Sequence, residues 1–90
     1  MEKQERDALL KELGNRIKKC REAKKLLSDD VAHAAHMSRS YYSGVETGKR
    51  NVSSLNLIKI AIAIDVELAE LFPTIAKLEK LQSEATKVDK

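Results

Sequence analysis

The chain has no tryptophan, one phenylalanine, one proline and one cysteine. Each scarcity excludes something. A single cysteine, Cys20, allows neither an internal disulfide nor a cysteine-built zinc cage, and suits a reducing compartment as core filler. His33 and His36 stand three residues apart, but no carboxylate or thiol at ligand spacing joins them on the same face, so no metal is expected. No arrangement of Ser, His and Asp suggests a nucleophile, and neither catalysis nor a cofactor is expected. The longest apolar stretch, residues 55 to 64, is interrupted by Asn56 and Lys59 and falls far short of the roughly 20 residues that span a bilayer. With no apolar leader at the start, the expectation is a cytoplasmic protein that does not enter a membrane.

What is present is aliphatic and charged. The 42% of hydrophobic residues are almost all Leu, Ile, Val and Ala in a chain of 90 residues, which favours a single all-α domain over an aromatic-rich sheet. The net charge of +3 is unevenly spread. Residues 15 to 50 hold nine Lys or Arg against four acids, while the segments before and after each come to −1. A basic middle points to a polyanionic partner.

Leu10, Leu13, Ile17 and Cys20, extended by Ala23 and Leu27, recur at three- and four-residue spacing, so residues 5 to 26 read as an amphipathic helix weakened by Gly14. Ser28 is an N-cap candidate, with Asp29 and Asp30 in the first turn of a short second helix. Ser38 can cap a third, running to Glu46, and Gly48 marks a loop. Residues 55 to 64 alternate like a half-buried strand at Ile58, Ile60, Ile62 and Ile64. No partner strand exists elsewhere, and Ser53 or Ser54 can cap a helix, so a central buried helix is expected. Asp65 would cap a short turn ending at Pro73, and a last helix carries Ile75, Leu78 and Leu81 before a polar tail that frays from Ser83.

The second and third helices are short and closely joined, so they can cross as a helix-turn-helix. Ala32 and Ala35 are small where helices must approach, and Val31, Met37, Tyr42 and Val45 take the inner surface. Arg39, Ser40, Ser43 and Gly44 are left facing outward. Arg can bond guanine in bidentate fashion and Ser can donate or accept, which is the chemistry that reads a major groove.

At these residues the sequence resembles the Cro/repressor-type (XRE-like) helix-turn-helix regulators. The resemblance runs from Leu13-Gly14-Asn15-Arg16-Ile17 through Arg21, Val31-Ala32 and the stretch from Ser38 to Asn51, on to Leu71-Phe72. The Tyr-x-Ser-Gly-x-Glu wording is similar to that of the small controller proteins of restriction-modification systems. The resemblance implies a five-helix domain, here with an added short C-terminal helix, that binds double-stranded DNA as a homodimer on a palindromic operator through helix 38–46. Carried over by position, it puts Arg39, Ser40, Ser43 and Gly44 against bases and Ser28, Ser38, Tyr41, Thr47, Lys49, Arg50 and Asn51 against phosphates. Arg21 and Glu46 would form a structural ion pair. Three positions depart from the family pattern: Ser28 replaces a usual Gln, His36 a usual Gly in the turn, and Val52 a usual Pro.

The domain expectation is 1–73 for the DNA-binding unit, with the helix-turn-helix at about 28–46, and 74–90 for the C-terminal helix and tail. Leu68, Leu71, Phe72, Ile75, Leu78 and Leu81 would supply a self-complementary dimer surface. The competing reading is an antitoxin-type interaction module that autoregulates through its helix-turn-helix, with a toxin or polymerase as protein partner. The basic stretch Arg16 to Lys25 lacks the apolar face of a membrane-surface helix.

Overall fold

The helix boundaries follow from where caps and left-handed residues fall. In the computed structural model, which describes residues 2–85, the elements are α1 (Lys3–Ala23), α2 (Ser28–Ala34), α3 (Arg39–Glu46), α4 (Ser54–Ile64), a single 3₁₀ turn (Leu68–Leu71) and α5 (Ile75–Ala85). The described residues are all-α, and the fifth helix of the expected domain is reduced to that one turn.

α1 ends earlier than its apolar spacing suggests. Lys24 caps it and Lys25 turns left-handed at φ 60°, with the Leu26 amide bonded back to the Arg21 carbonyl. The chain therefore leaves the helical register before residue 27. Leu26 packs against the core, while Leu27 is 69% exposed. Leu27, not Ser28, is the N-cap of α2 and supplies no side-chain hydrogen bond; Ser28 is the first helical residue. The expected cap was one position off because the backbone, not the hydroxyl, sets where this helix begins.

α4 resolves the strand-or-helix ambiguity of its four isoleucines. The Ser53 hydroxyl accepts from the Asn56 amide at 3.1 Å and starts the helix. Leu57, Ile60, Ala61 and Ile64 then fall on one buried face, the i, i+3, i+4, i+7 pattern of a helix. The expectation of all-round burial is corrected: Leu55, Ile58 and Ile62 point outward, Ile62 at 74% exposure. Asp65 is the other revised cap. It closes α4 in the left-handed region at φ 66°, and Glu67 opens the 3₁₀ turn through a reciprocal capping box with Glu70. Asn and Asp tolerate that conformation better than most residues. α5 continues through the residues expected to fray at Ser83; the rest of that tail lies outside the described residues.

The core gathers Ile17, Val31, Tyr42, Val45, Ile60, Ile64 and Leu71, each nearly free of solvent. Fully burying a side chain of this kind contributes about 1.5–3 kcal/mol. Gly14 does more than weaken a helix. A Cβ there would lie 2.3 Å from the Val45 carbonyl oxygen and 2.5 Å from that of Glu46, so α1 can meet the end of α3 only because residue 14 has no side chain.

Candidate nucleic-acid interface

Two short helices and the turn between them position the candidate site. Ala32 and Ala35 are buried, which lets α2 and α3 approach, and Val31, Tyr42 and Val45 seat the pair on the core, with Met37 half-buried beside them. His36 occupies the turn at φ 58°, the left-handed position where the family pattern has Gly. The Met37 amide bonds back to the Ala32 carbonyl at 2.9 Å, and the Ser38 hydroxyl accepts from the Tyr41 amide at 3.0 Å to cap α3. That hydroxyl keeps its own proton to donate elsewhere.

Adjacent residues on a helix point about 100° apart, and the two tyrosines divide accordingly. Tyr42 is buried and donates its phenol to Glu46 Oε2. The same carboxylate receives Arg21 in bidentate fashion, Nε at 2.7 Å and Nη2 at 3.1 Å, while Arg21 Nη1 reaches the Leu26 carbonyl at 2.8 Å. This knot ties the C-terminal end of α3 to α1 and to the chain entering α2. Burial, reinforced by the hydrogen bond to Glu46, pushes the Tyr42 phenol well above its ordinary value, and the bond to Glu46 raises Arg21. Both groups are therefore locked in their ordinary protonation states at neutral pH.

The outward side of α3 is different. Arg39, Ser40 and Ser43 are exposed, and Arg39 Nη1 holds Asp29 of α2 at 3.0 Å. Gly44 is half-buried, and its missing side chain is filled from within the protein: a Cβ there would sit 2.5 Å from Arg50 Cγ. The Arg50 guanidinium lies 5.9 Å from the centre of the Tyr41 ring, and the Tyr41 phenol oxygen accepts from Asn56 Nδ2 at 3.1 Å. Thr47 donates its hydroxyl to the Ser43 and Gly44 carbonyls at 3.0 and 3.3 Å. The Lys49 and Arg50 amides both return to the Gly44 carbonyl. Gly48 is left-handed at φ 78°, and Lys49, Arg50 and Asn51 are exposed. Ser28 is half-buried on a cleft of about 630 Å³ between α1 and α3 that Ser43 and Thr47 also line.

A family model described as helix-turn-helix matches residues 17–71. The chain belongs to the helix-turn-helix family. Within it, this helix-turn-helix protein is 46% identical over 65 residues to the control protein C.MunI of a Mycoplasma species, across 71% of this chain and 88% of that one. The crystal structure of the restriction-modification controller protein C.AhdI from Aeromonas hydrophila is 44% identical, with a TM-score of 0.68 over 70% of this chain and 96% of its own. A mutant of the restriction-modification controller protein C.Esp1396I covers 90% of this chain and 95% of its own at 28% identity and a TM-score of 0.63.

The expected dimer residues separate on this helix-turn-helix frame. Leu71 is fully buried in the core and cannot meet a partner, a correction that follows from the 3₁₀ turn pointing it inward. Leu68, Phe72 and Ile75 are exposed, Ile75 at 73%. Leu78 is half-buried in an apolar groove with Leu9, Leu10 and Leu13 of α1, and Leu81 lines the cleft between α1 and α3. Three further groups escaped the sequence reading: Asn56, the Asp29 partner of Arg39, and the exposed Leu55, Ile58 and Ile62. Asn56 did carry a signal, as the only amide in the run LNLIKI. Among the described residues no three His, Cys, Asp or Glu are grouped to hold a metal, and no helix is long and apolar enough to cross a membrane.

Proposed function

We propose that this protein is a sequence-specific transcriptional regulator that binds a palindromic operator as a homodimer, laying α3 in the major groove. The observation that carries the reading is the two-sidedness of α3: Tyr42, Val45 and Glu46 fix its inner side, while Arg39, Ser40 and Ser43 stand exposed as a row of base-capable donors. Arg39 would read guanine and the serines would bond base edges, while Gly44, across which the Arg50 stem runs, would present that side chain at the groove in place of its own. Ser28, Ser38, Tyr41, Lys49, Arg50 and Asn51 would hold phosphates and fix the register. Thr47 would join them by giving up its bond to the Ser43 carbonyl and donating its hydroxyl to a phosphate oxygen.

Two-fold docking places recognition helices about one DNA turn apart. The exposed Leu68, Phe72 and Ile75, together with Leu55, Ile58 and Ile62 of α4, offer apolar surface for the partner copy. Similarity to restriction-modification controller proteins favours a controller role, with control by occupancy of a promoter site. The basic segment 15–50 would supply the salt-dependent part of the affinity.

Selection of bound duplexes from a random pool, at stated salt, tests this directly. A recovered motif with two-fold symmetry supports reader and dimer together. A motif without symmetry removes the dimer, and recovery of no motif overturns sequence-specific binding.

A further inference from the structure

Asn56 lies on α4, outside the helix pair, yet its side chain reaches back 15 residues to the Tyr41 phenol. It is well placed to hold still. Its backbone amide is bound by the Ser53 cap, it sits in the first turn of α4, and it is half-buried. A side chain fixed by a helix end places a partner more sharply than one on a loop.

The direction of that bond matters. A phenol oxygen carries one proton and accepts on the other side, and conjugation keeps the O–H near the ring plane, so there are two positions for it. Asn56 Nδ2 donates into one of them. The Tyr41 proton is left to the other, and the ring is pinned as the face against which Arg50 lies at 5.9 Å. Arg50 reaches that face by running across the bare Cα of Gly44, where a Cβ would collide with its Cγ at 2.5 Å. Asn56, Tyr41, Gly44 and Arg50 thus form one cassette spanning α3, the following loop and α4.

Resting on the DNA-binding reading above, we infer that Asn56 is a positioning residue for recognition: it directs the Tyr41 O–H and the Arg50 guanidinium lying over the ring to converge on one phosphate. Neither the amide nor its helix need touch DNA for this. Asn56 acts by selecting which way the phenol donates.

The test is a double-mutant cycle with the full chain and the duplex recovered by random-pool selection. Asn56→Ala should weaken binding about fivefold, the worth of one ordinary hydrogen bond. In a Tyr41→Phe background, which has no phenol to direct, the same substitution should change affinity by less than about twofold, because the two act as a unit. Asn56→Asp supplies the control for folding. An acid at this position completes a capping box with Ser53 and favours the helix start. It should leave the melting temperature unchanged or raised, while turning the phenol proton inward onto the carboxylate and weakening binding at least as much as Ala does. Equal losses from Asn56→Ala in both backgrounds would overturn the positioning role and leave DNA binding standing. Wild-type protein that retains no duplex would overturn both.

Discussion

The two ends of α3 carry two ion pairs that pair the same groups, a guanidinium and a carboxylate, and differ in what surrounds them. At the C-terminal end Arg21 and Glu46 have side chains only 12% and 9% exposed, with Tyr42 and the Leu26 carbonyl completing their hydrogen bonds. At the N-terminal end Arg39 and Asp29 are 77% and 59% exposed and joined by a single bond at 3.0 Å. A largely buried, multiply bonded pair orients a helix because its hydrogen bonds are made within the protein and little of either group meets water; an exposed one is a loose association that screening nearly cancels. The first end is scaffold. The second would let Arg39, in the proposed complex, exchange Asp29 for a base edge at little cost.

Breaking each pair should expose the asymmetry. Glu46→Ala leaves the Arg21 guanidinium and the Tyr42 phenol without their shared acceptor, and should cost about 3 kcal/mol of unfolding free energy in urea titrations. Asp29→Asn should cost less than about 0.5 kcal/mol in the same assay. Similar losses from both would show that burial does not separate the two ends. On DNA the order reverses. Arg39→Ala should leave stability unchanged within about 0.5 kcal/mol yet lose about 1–3 kcal/mol on the selected duplex and flatten its preference at one base pair. A uniform loss on all sequences would make Arg39 a phosphate contact.

The scaffold end also has a pH signature. Tyr42 titrates higher in the folded protein than its ordinary value near 10, so the folded state holds the proton more tightly than the unfolded one. Its contribution is fully present below that ordinary value. It is lost as pH rises past about 10 toward the folded value, at up to about 1.4 kcal/mol per pH unit. Tyr42→Phe should flatten the corresponding part of the stability curve between pH 9 and 11, measured by denaturant titration; a curve of unchanged shape would place the alkaline loss elsewhere.

How much of this was legible in the sequence depended on the range of the physics involved. The division of Tyr41 from Tyr42, the Ser38 cap and the inward Val31 and Val45 follow from periodicity within one helix, and the structure places them so. Elements set by backbone geometry shifted: Leu27 took the cap from Ser28, and Asp65 ended one element instead of starting the next. A cap is chosen by where the chain can turn left-handed, as at Lys25, and side-chain spacing does not encode that. Contacts between elements stayed hidden. Gly14 against the Val45 carbonyl, Gly44 beneath Arg50 and Asn56 on Tyr41 each join segments whose proximity exists only after folding. Those three residues decide how α3 is seated and what lies on it, so the motif was readable and its fine positioning was not.

The smallest effect concerns the loop that follows the scaffold end. Lys49 is exposed, and its amide is fixed to the Gly44 carbonyl at 2.8 Å, so the backbone that bears it moves with α3. Its ammonium is a compact charge on a flexible stem, suited to a phosphate and poor at discriminating bases. Lys49→Ala should therefore reduce the salt slope of binding by about one unit, equivalent to roughly a fourfold change in relative affinity between 50 and 200 mM salt, without altering the selected motif. Unfolding free energy should not move, because no packing is lost. A changed motif would make Lys49 a base reader, extending the exposed, reading side of α3 into its loop. An unchanged slope would confine phosphate holding to the other cations of the segment, with Arg50, already braced by Tyr41, the first to test.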